Sequence, residues 1–335
     1  MRSKAAVLIK NKKIKLLNLN LPPLKKGQVL VKISYASICY TQIQEIDGQR
    51  GKDHYIPHCL GHEATGKVIK INQKVKKVKS GDNVCITWVF SQGINAGGSI
   101  YSYNKRNIIN AGPVNTFSQY AIVSENKIHK LSKNSDLKKS VLLGCAAPTA
   151  FNCIFLNTNK VNKKKVLILG CGGVGLLAVY AAKLKKFSEI AVVDKFKKKL
   201  EIAKKYGATR SLLNKDLKNF KDSFDYVVEC SGNSRLINES LTYAKKFGGQ
   251  VFVIGNYKHR TKIKIDPWQL LFGKKISGSW EKQFNYDKHF NQFEKYLKKF
   301  NSSYFFGKKI YSLNKINHAI RDFRNGKVIR PLIKM

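Results

Sequence analysis

Cys39, His62 and Cys145 are residue types that bind zinc, and the run Gly170-Cys171-Gly172-Gly173-Val174-Gly175 is a turn that can receive a pyrophosphate. Two thiolates and an imidazole make a three-ligand zinc set whose fourth tetrahedral position stays open, the arrangement of a catalytic site; a structural site closes that position with a fourth protein ligand. The three residues lie far apart in the chain, so spacing alone does not single them out among seven cysteines. Metal chemistry and a dinucleotide site are nonetheless expected on one polypeptide.

The glycine run gains weight from its surroundings: it follows the apolar stretch Val166 to Leu169 and opens an alanine-rich helical stretch, which is the strand-turn-helix context of a dinucleotide site. At Gly172 the backbone can approach the pyrophosphate, and Gly175 allows the helix to pack closely on the strand, with the helix N-terminus facing the anion. Asp194 ends the next strand about 20 residues on, where an acid accepts hydrogen bonds from the ribose diol. Its charge favours NAD, while Lys195, Lys197, Lys198 and Lys199 behind it keep NADP in view.

The elements that must position these residues divide the chain in two. From Lys4 to about Leu131, short alternating strands such as Val29-Leu30-Val31-Lys32-Ile33 are broken by Gly, Pro and Asn, the pattern of a compact β-rich domain. Beyond Cys145 the stretch Pro148 to Leu156 reads as helical. Apolar strands at Val166 to Leu169, Ile190 to Val193, Tyr226 to Glu229 and Val251 to Ile254 then alternate with Ala/Lys-rich helical stretches, which predicts an α/β domain with a parallel doubly wound sheet. The tail from about Ser279 is too short to fold alone and is expected to return to the first domain. The expected boundaries are therefore 1–147 with 280–335 for one domain and 148–279 for the dinucleotide domain.

Composition narrows the function. At 335 residues and 43% hydrophobic residues the chain can bury a substantial core. No stretch approaches the roughly 20 apolar residues of a membrane span, and the start has no signal-peptide core, so no membrane association and a cytoplasmic location are expected. Seven cysteines without close Cys-x-x-Cys pairs do not form a disulfide framework. The net charge of +43 is scattered as lysine through every segment. No specific nucleic-acid binding is expected, although such a field draws in anionic dinucleotides or phosphorylated substrates.

Local context around the three candidate ligands carries a resemblance. Ala36-Ser37-Ile38-Cys39-Tyr40-Thr41-Gln42, Leu60-Gly61-His62-Glu63-Ala64-Thr65-Gly66 and Leu142-Leu143-Gly144-Cys145-Ala146-Ala147-Pro148-Thr149, with Gly81-Asp82-Asn83-Val84, Thr116-Phe117-Ser118-Gln119-Tyr120 and Gly326-Lys327-Val328-Ile329-Arg330, resemble the zinc-dependent medium-chain dehydrogenase/reductase superfamily of the alcohol dehydrogenase type. The resemblance spans essentially the whole chain. It implies a GroES-like β-rich catalytic domain and a Rossmann domain, with zinc in the cleft between them. It also implies that Cys39, His62 and Cys145 bind zinc, that Glu63 stands behind the metal and approaches it, and that Thr41 takes the alcohol proton. Thr149 and Val174 are implied at the nicotinamide, Arg330 at the pyrophosphate, and Trp88 and Phe117 as walls of the substrate pocket.

Three departures from the family pattern matter. Gln42 stands where an Asp usually holds the zinc-binding imidazole, and an amide raises ring basicity less. Gln44 stands where some members finish the proton relay with a histidine, and it cannot titrate. Ser91 to Gly98 occupies the place of a four-cysteine lobe without one cysteine, so a single catalytic zinc and no structural zinc are expected. The expected activity is NAD-linked hydride transfer to or from a small alcohol, polyol or sugar-derived hydroxyl, in a homodimer or homotetramer. The rival readings are a metal-free quinone or enoyl reductase and a non-catalytic protein that binds NAD and zinc. His54 and His58 read as loop residues, and Cys59, Cys85, Cys153, Cys171 and Cys230 as small buried hydrophobes.

Overall fold

The protein is described by a computed structural model covering residues 1–104, 107–159, 161–279 and 284–335. It divides into two compact units, Met1–Cys145 with Asn285–Met335, and Ala146–Phe284. The second expected boundary, between 279 and 280, falls against residues 280–283, which lie outside the described residues.

In the first unit the strand Gln28–Ser37 is the spine. It pairs antiparallel with Ala64–Ile71 on one side and, along different stretches of its other edge, with Tyr120–Ser124 and Leu332–Lys334. The remaining strands of this sheet are Asn83–Ile86, Ile128–Lys130 and Ile310–Ser312. A closed barrel of Arg2–Lys10, Lys13–Asn20, Ser99–Tyr103, Asn107–Gly112 and His58–Cys59 completes the unit among the described residues. Side-chain alternation with period two sorts each strand between two cores. Ala6, Leu8, Val29, Val31 and Ile33 enter one cluster, while Ala5, Val7 and Leu30 enter the other with Leu19, Tyr101 and Ile109.

This framework sets the chemistry-bearing residues at element ends. Cys39 follows the spine strand and precedes the helix Tyr40–Ile46, His62 and Glu63 lead into Ala64–Ile71, and Cys145 follows the turn Val141–Gly144. The C-terminal strand returns in register Ile333↔Ala36, with Ile38 N donating to Pro331 O at 3.1 Å, which delivers Arg330 to the same end of the spine.

The segment 91–98 is held by carboxylates. Glu125 accepts from Lys76 N at 2.6 Å, Lys77 N at 3.0 Å and Ile94 N at 2.8 Å, and Asp287 accepts from Gln92 N at 2.6 Å.

The second unit is a six-stranded parallel sheet in the order Arg210–Leu212, Glu189–Val193, Lys165–Leu169, Tyr226–Glu229, Gln250–Val253, Lys275–Gly278. Such an order reverses direction beside its first strand, the topology that binds dinucleotides at the carboxyl edge. The four inner strands match the apolar runs of the sequence, because strands covered on both faces are hydrophobic throughout. The two outermost are not legible there: Arg-Ser-Leu and Lys-Ile-Ser-Gly are short and partly exposed. The helix expected from Pro148 starts at Ala146, with proline near its start, and passes into a π-helical turn at Asn152–Leu156. Among the described residues no single helix is long and apolar enough to cross a membrane.

Candidate active site

In the first unit, one ligand atom each from Cys39, His62 and Cys145 lie within 4.8 Å of one another. The two sulfurs are 3.9 Å apart, and Thr41 Oγ1 is 3.5 Å from Cys39 Sγ. Gln42, on the first turn of the helix after Cys39, meets His62 Nδ1 through its Nε2 at 2.8 Å and donates to Glu45 at 3.2 Å. His62 Nε2 is buried with no hydrogen-bond partner. A buried ring nitrogen of that kind is costly unless something satisfies it. Two sulfurs and one such nitrogen are a donor set that zinc satisfies, so these residues fit the metal.

The charges are coupled. The hydrogen bond from Cys145 is the main cause that holds the Cys39 thiol well below its ordinary pKa, against burial and with help from Arg330 and His62. Cys145 is pushed well above the usual thiol range by that same partnership and by burial. Burial opposes a charged His62, but the neighbouring Cys39 sulfur outweighs it and raises the ring's pKa. Of the two sulfurs, Cys39 is the one whose surroundings favour the thiolate, the form that ligates.

Glu63 and Arg330 pair with each other. Glu63 is not in the group of mutually close ligand atoms. It is fully buried, and its Oε1 accepts from the Ser37 hydroxyl and from Arg330 Nε at 2.8 Å and Nη2. Arg330, expected at a pyrophosphate, is 3% exposed and committed to Glu63 and Ser37. A buried carboxylate must be compensated, and the returning C-terminal strand supplies the cation. Burial raises the Glu63 pKa although Arg330 opposes it. Its Oε2 remains buried without a partner.

Trp88 is half-buried, with its ring edge-on to His62 at 6.4 Å between centroids. Phe117, the other expected pocket wall, is a core residue at 1% exposure. Its backbone is tied between Leu60 and Ala6, through Phe117 N to Leu60 O and Ala6 N to Phe117 O, which turns the ring inward. His58 is not in a loop either: it is buried on a barrel strand, while His54 is exposed.

In the second unit the turn between Leu169 and the helix Gly173–Leu184 has two different glycine requirements. A Cβ on Gly175 would lie 1.8 Å from Gly170 O, whereas one on Gly172 would meet no protein atom within 4 Å. Gly175 serves packing, and Gly172 borders open space at the helix N-terminus. Asp194 accepts from Cys171 N at 2.9 Å and Phe196 N at 3.0 Å, which fixes the acid beside this turn. The Lys195 and Lys199 ammonium groups lie over the Phe196 ring, 4.9 and 5.1 Å from its centroid. Val174, Thr149 and Lys199 are all partly exposed.

Sequence reasoning missed Glu229. It ends its strand fully buried and accepts from Ser231 N at 2.8 Å, the Ser231 hydroxyl and Tyr257 OH, tying together the loops after two adjacent strands at the carboxyl edge. The signal available was an acid closing an apolar strand ahead of Cys230-Ser231-Gly232.

Residues 25–133 match the family described as alcohol dehydrogenase GroES-like domain, and residues 173–302 match the family described as zinc-binding dehydrogenase. The chain is similar to the S-(hydroxymethyl)glutathione dehydrogenase of Escherichia coli O1:K1, 29% identical over 314 residues that cover 83% of this chain and 85% of that one. Its fold is similar to that of benzyl alcohol dehydrogenase from Acinetobacter calcoaceticus, with a TM-score of 0.84, 24% identity and coverage of 100% and 99% of the two chains. Galactitol-1-phosphate dehydrogenase from Escherichia coli gives a TM-score of 0.79 at 18% identity, covering 99% of this chain and 100% of that one. With both of its units matched, the chain belongs to the zinc-dependent medium-chain dehydrogenase/reductase superfamily, of the alcohol dehydrogenase type.

Proposed function

We propose that the protein is a zinc-dependent oxidoreductase that moves a hydride between a CH–OH carbon of a small molecule and a nicotinamide cofactor. The observation that carries this reading is the convergence of Cys39, His62 and Cys145 on one point, with His62 Nε2 buried and unpartnered. It disfavours the metal-free reductase, which has no use for such a donor set. When bound, zinc supplies Lewis acidity that eases loss of the hydroxyl proton, and the nicotinamide takes or returns the hydride.

The chain's own residues do the rest. Cys39 and Cys145 provide the thiolates, and Gln42, its amide turned so that Oε1 accepts from Nδ1–H, would orient the His62 ring with Nε2 free to ligate. Thr41, beside Cys39, is placed to take the hydroxyl proton on Oγ1. Gln44 does not titrate, so the proton leaves by water or another group. Glu63, paired with Arg330, keeps its second carboxylate oxygen buried without a hydrogen-bond partner. Trp88 forms one wall beside His62. Gly172, Gly173 and the helix N-terminus receive the pyrophosphate, Asp194 the ribose diol, and Thr149 and Val174 the nicotinamide. Asp194 favours NAD, with Lys199 on hand for an added phosphate.

A catalytic zinc without a structural one is supported by a segment 91–98 that has no cysteine and is held by Glu125 and Asp287 instead. Reduced thiols fit a cytoplasmic setting, and a homodimer or homotetramer remains part of the proposal. A similar chain is named for S-(hydroxymethyl)glutathione and another for a sugar-alcohol phosphate; with a net charge of +43 here, we extend the substrate class to anionic alcohols. The test is a panel of simple alcohols, polyols and their phosphates with NAD, scored by absorbance of the reduced cofactor. Turnover that a strong chelator abolishes is expected; equal turnover by the metal-free protein contradicts the proposal.

A further inference from the structure

A second cluster with metal-ligand chemistry lies in the first unit, apart from the thiolates. One oxygen each of Glu45 and Asp53 and one ring nitrogen of His58 lie within 4.8 Å of one another. His58 is on the barrel strand His58–Cys59, paired with Leu8 on one side and Asn110 on the other, so its ring is fixed by the sheet. Its Nδ1 lies 3.0 Å from Cys59 O. A carbonyl only accepts, so Nδ1 carries the hydrogen. This is how ligating histidines are commonly held, with one nitrogen on a backbone carbonyl and the other presented to the metal.

His58 Nε2 then points at carboxylates, 2.8 Å from Asp53 Oδ2 and 3.9 Å from Glu45 Oε1. The other oxygen of each acid is occupied: Asp53 Oδ1 accepts from Tyr55 N at 2.9 Å, and Glu45 Oε2 accepts from Gln42 Nε2. These bonds aim the remaining oxygens inward. The surroundings add a second argument. The chain has 63 Lys and Arg against 20 Asp and Glu. Yet among the described residues neither Glu45 nor Asp53 has a lysine or arginine ion-pair partner; the one charge-bearing partner of each is His58. A proton on Nε2 would serve Asp53 and leave Glu45 uncompensated. A divalent cation would serve all three groups at once.

We propose that Glu45, Asp53 and His58 form a binding site for a divalent first-row cation, separate from the thiolate site. One imidazole and two carboxylates suit manganese, iron(II) or zinc, and differ in softness from the two sulfurs and imidazole at Cys39, His62 and Cys145. Ligand lengths of about 2.0–2.2 Å put adjacent donors roughly 3 Å apart, so small side-chain adjustments close the observed spread. Carboxylate ligands favour manganese where thiolates favour zinc, and manganese is therefore the probe that separates the two sites.

The experiment is a Mn2+ titration of the full chain already loaded with one zinc, followed by the paramagnetic resonance signal of free Mn2+. One Mn2+ per chain is expected, with the zinc retained, and Asp53→Asn and Glu45→Gln each weakening Mn2+ binding at least tenfold. Circular dichroism confirms that these variants fold, and the partly exposed Asp53 is the milder change should His58 variants fail. No uptake up to about 1 mM Mn2+, or uptake indifferent to Asp53→Asn, overturns the proposal. A His58 ring that nuclear magnetic resonance shows protonated on both nitrogens, and unmoved by Mn2+, also overturns it, leaving an Asp53–imidazolium pair. None of these readouts depends on dehydrogenase turnover.

Discussion

Gln42 carries the clearest consequence at the scale of single residues. Its amide is the hydrogen-bond partner of His62 Nδ1, and partners of that kind are worth about 10–100-fold in metal affinity. Gln42→Leu is therefore expected to weaken zinc binding at least about tenfold, measured by competition with a chromogenic chelator, while the fold stays intact by circular dichroism. Unchanged affinity would mean that the amide does not orient the ring. The three candidate zinc ligands, which the structure brings within 4.8 Å of one another, were legible in the sequence because their neighbours matched a pattern of local residues. Arg330 was not: the sequence places it near a family motif, but only the pairing of the final strand with the spine shows that Glu63 claims its guanidinium. Phe117 misled for a similar reason, since an aromatic ring in a strand-flanking turn can face a pocket or a core, and the backbone ties to Leu60 and Ala6 decide which.

The strand-turn-helix of the second unit separates packing from binding within six residues. Gly175→Ala would drive a methyl group into Gly170 O, so unfolding by urea should show a loss of at least about 3 kcal/mol, in the range of severe overpacking. Gly172→Ala adds a methyl where no protein atom lies within 4 Å, at a residue with φ −80. Its stability should change by less than about 1 kcal/mol, while NAD affinity by calorimetry falls at least tenfold. Equal loss of stability in both variants would contradict this division of roles. The element was legible because its motif, its apolar strand and its alanine-rich helix agree with one another. The outermost strands Arg210–Leu212 and Lys275–Gly278 were not, because three or four partly exposed residues hold no period and their pairing is set by neighbours distant in sequence.

Across the molecule, acids are few and well used. Burial alone would raise the pKa of Glu125, but hydrogen bonds from Ile94, Lys76 and Lys77 N–H and the charge of Lys77 bring it below the usual glutamate value. At Asp225 burial is likewise outweighed by Lys165 N–H, Lys164 and Lys245. A carboxylate whose folded pKa is depressed contributes stability that is complete above its unfolded pKa and is lost as pH falls through the folded one. The stability that these carboxylates supply should thus be flat from pH 7 to about 5 and fall below about pH 4.5, steepened by repulsion in a chain of net charge +43. Glu125→Gln should lower stability at neutral pH and shrink that acid drop, because its contribution is already gone; a drop of undiminished size would show that Glu125 does not anchor segment 91–98. Composition announced the charge and the size of the core but not this placement, since which acids are buried depends on the folded surface.

The most direct test of the zinc assignment is the electronic spectrum of the chain with Co2+ in place of zinc. Tetrahedral cobalt bands are expected, with a sulfur-to-metal transition that falls by about half in Cys145→Ser and in Cys39→Ser, as two thiolate ligands require. A cobalt protein without that transition, or one indifferent to both substitutions, would contradict the assignment.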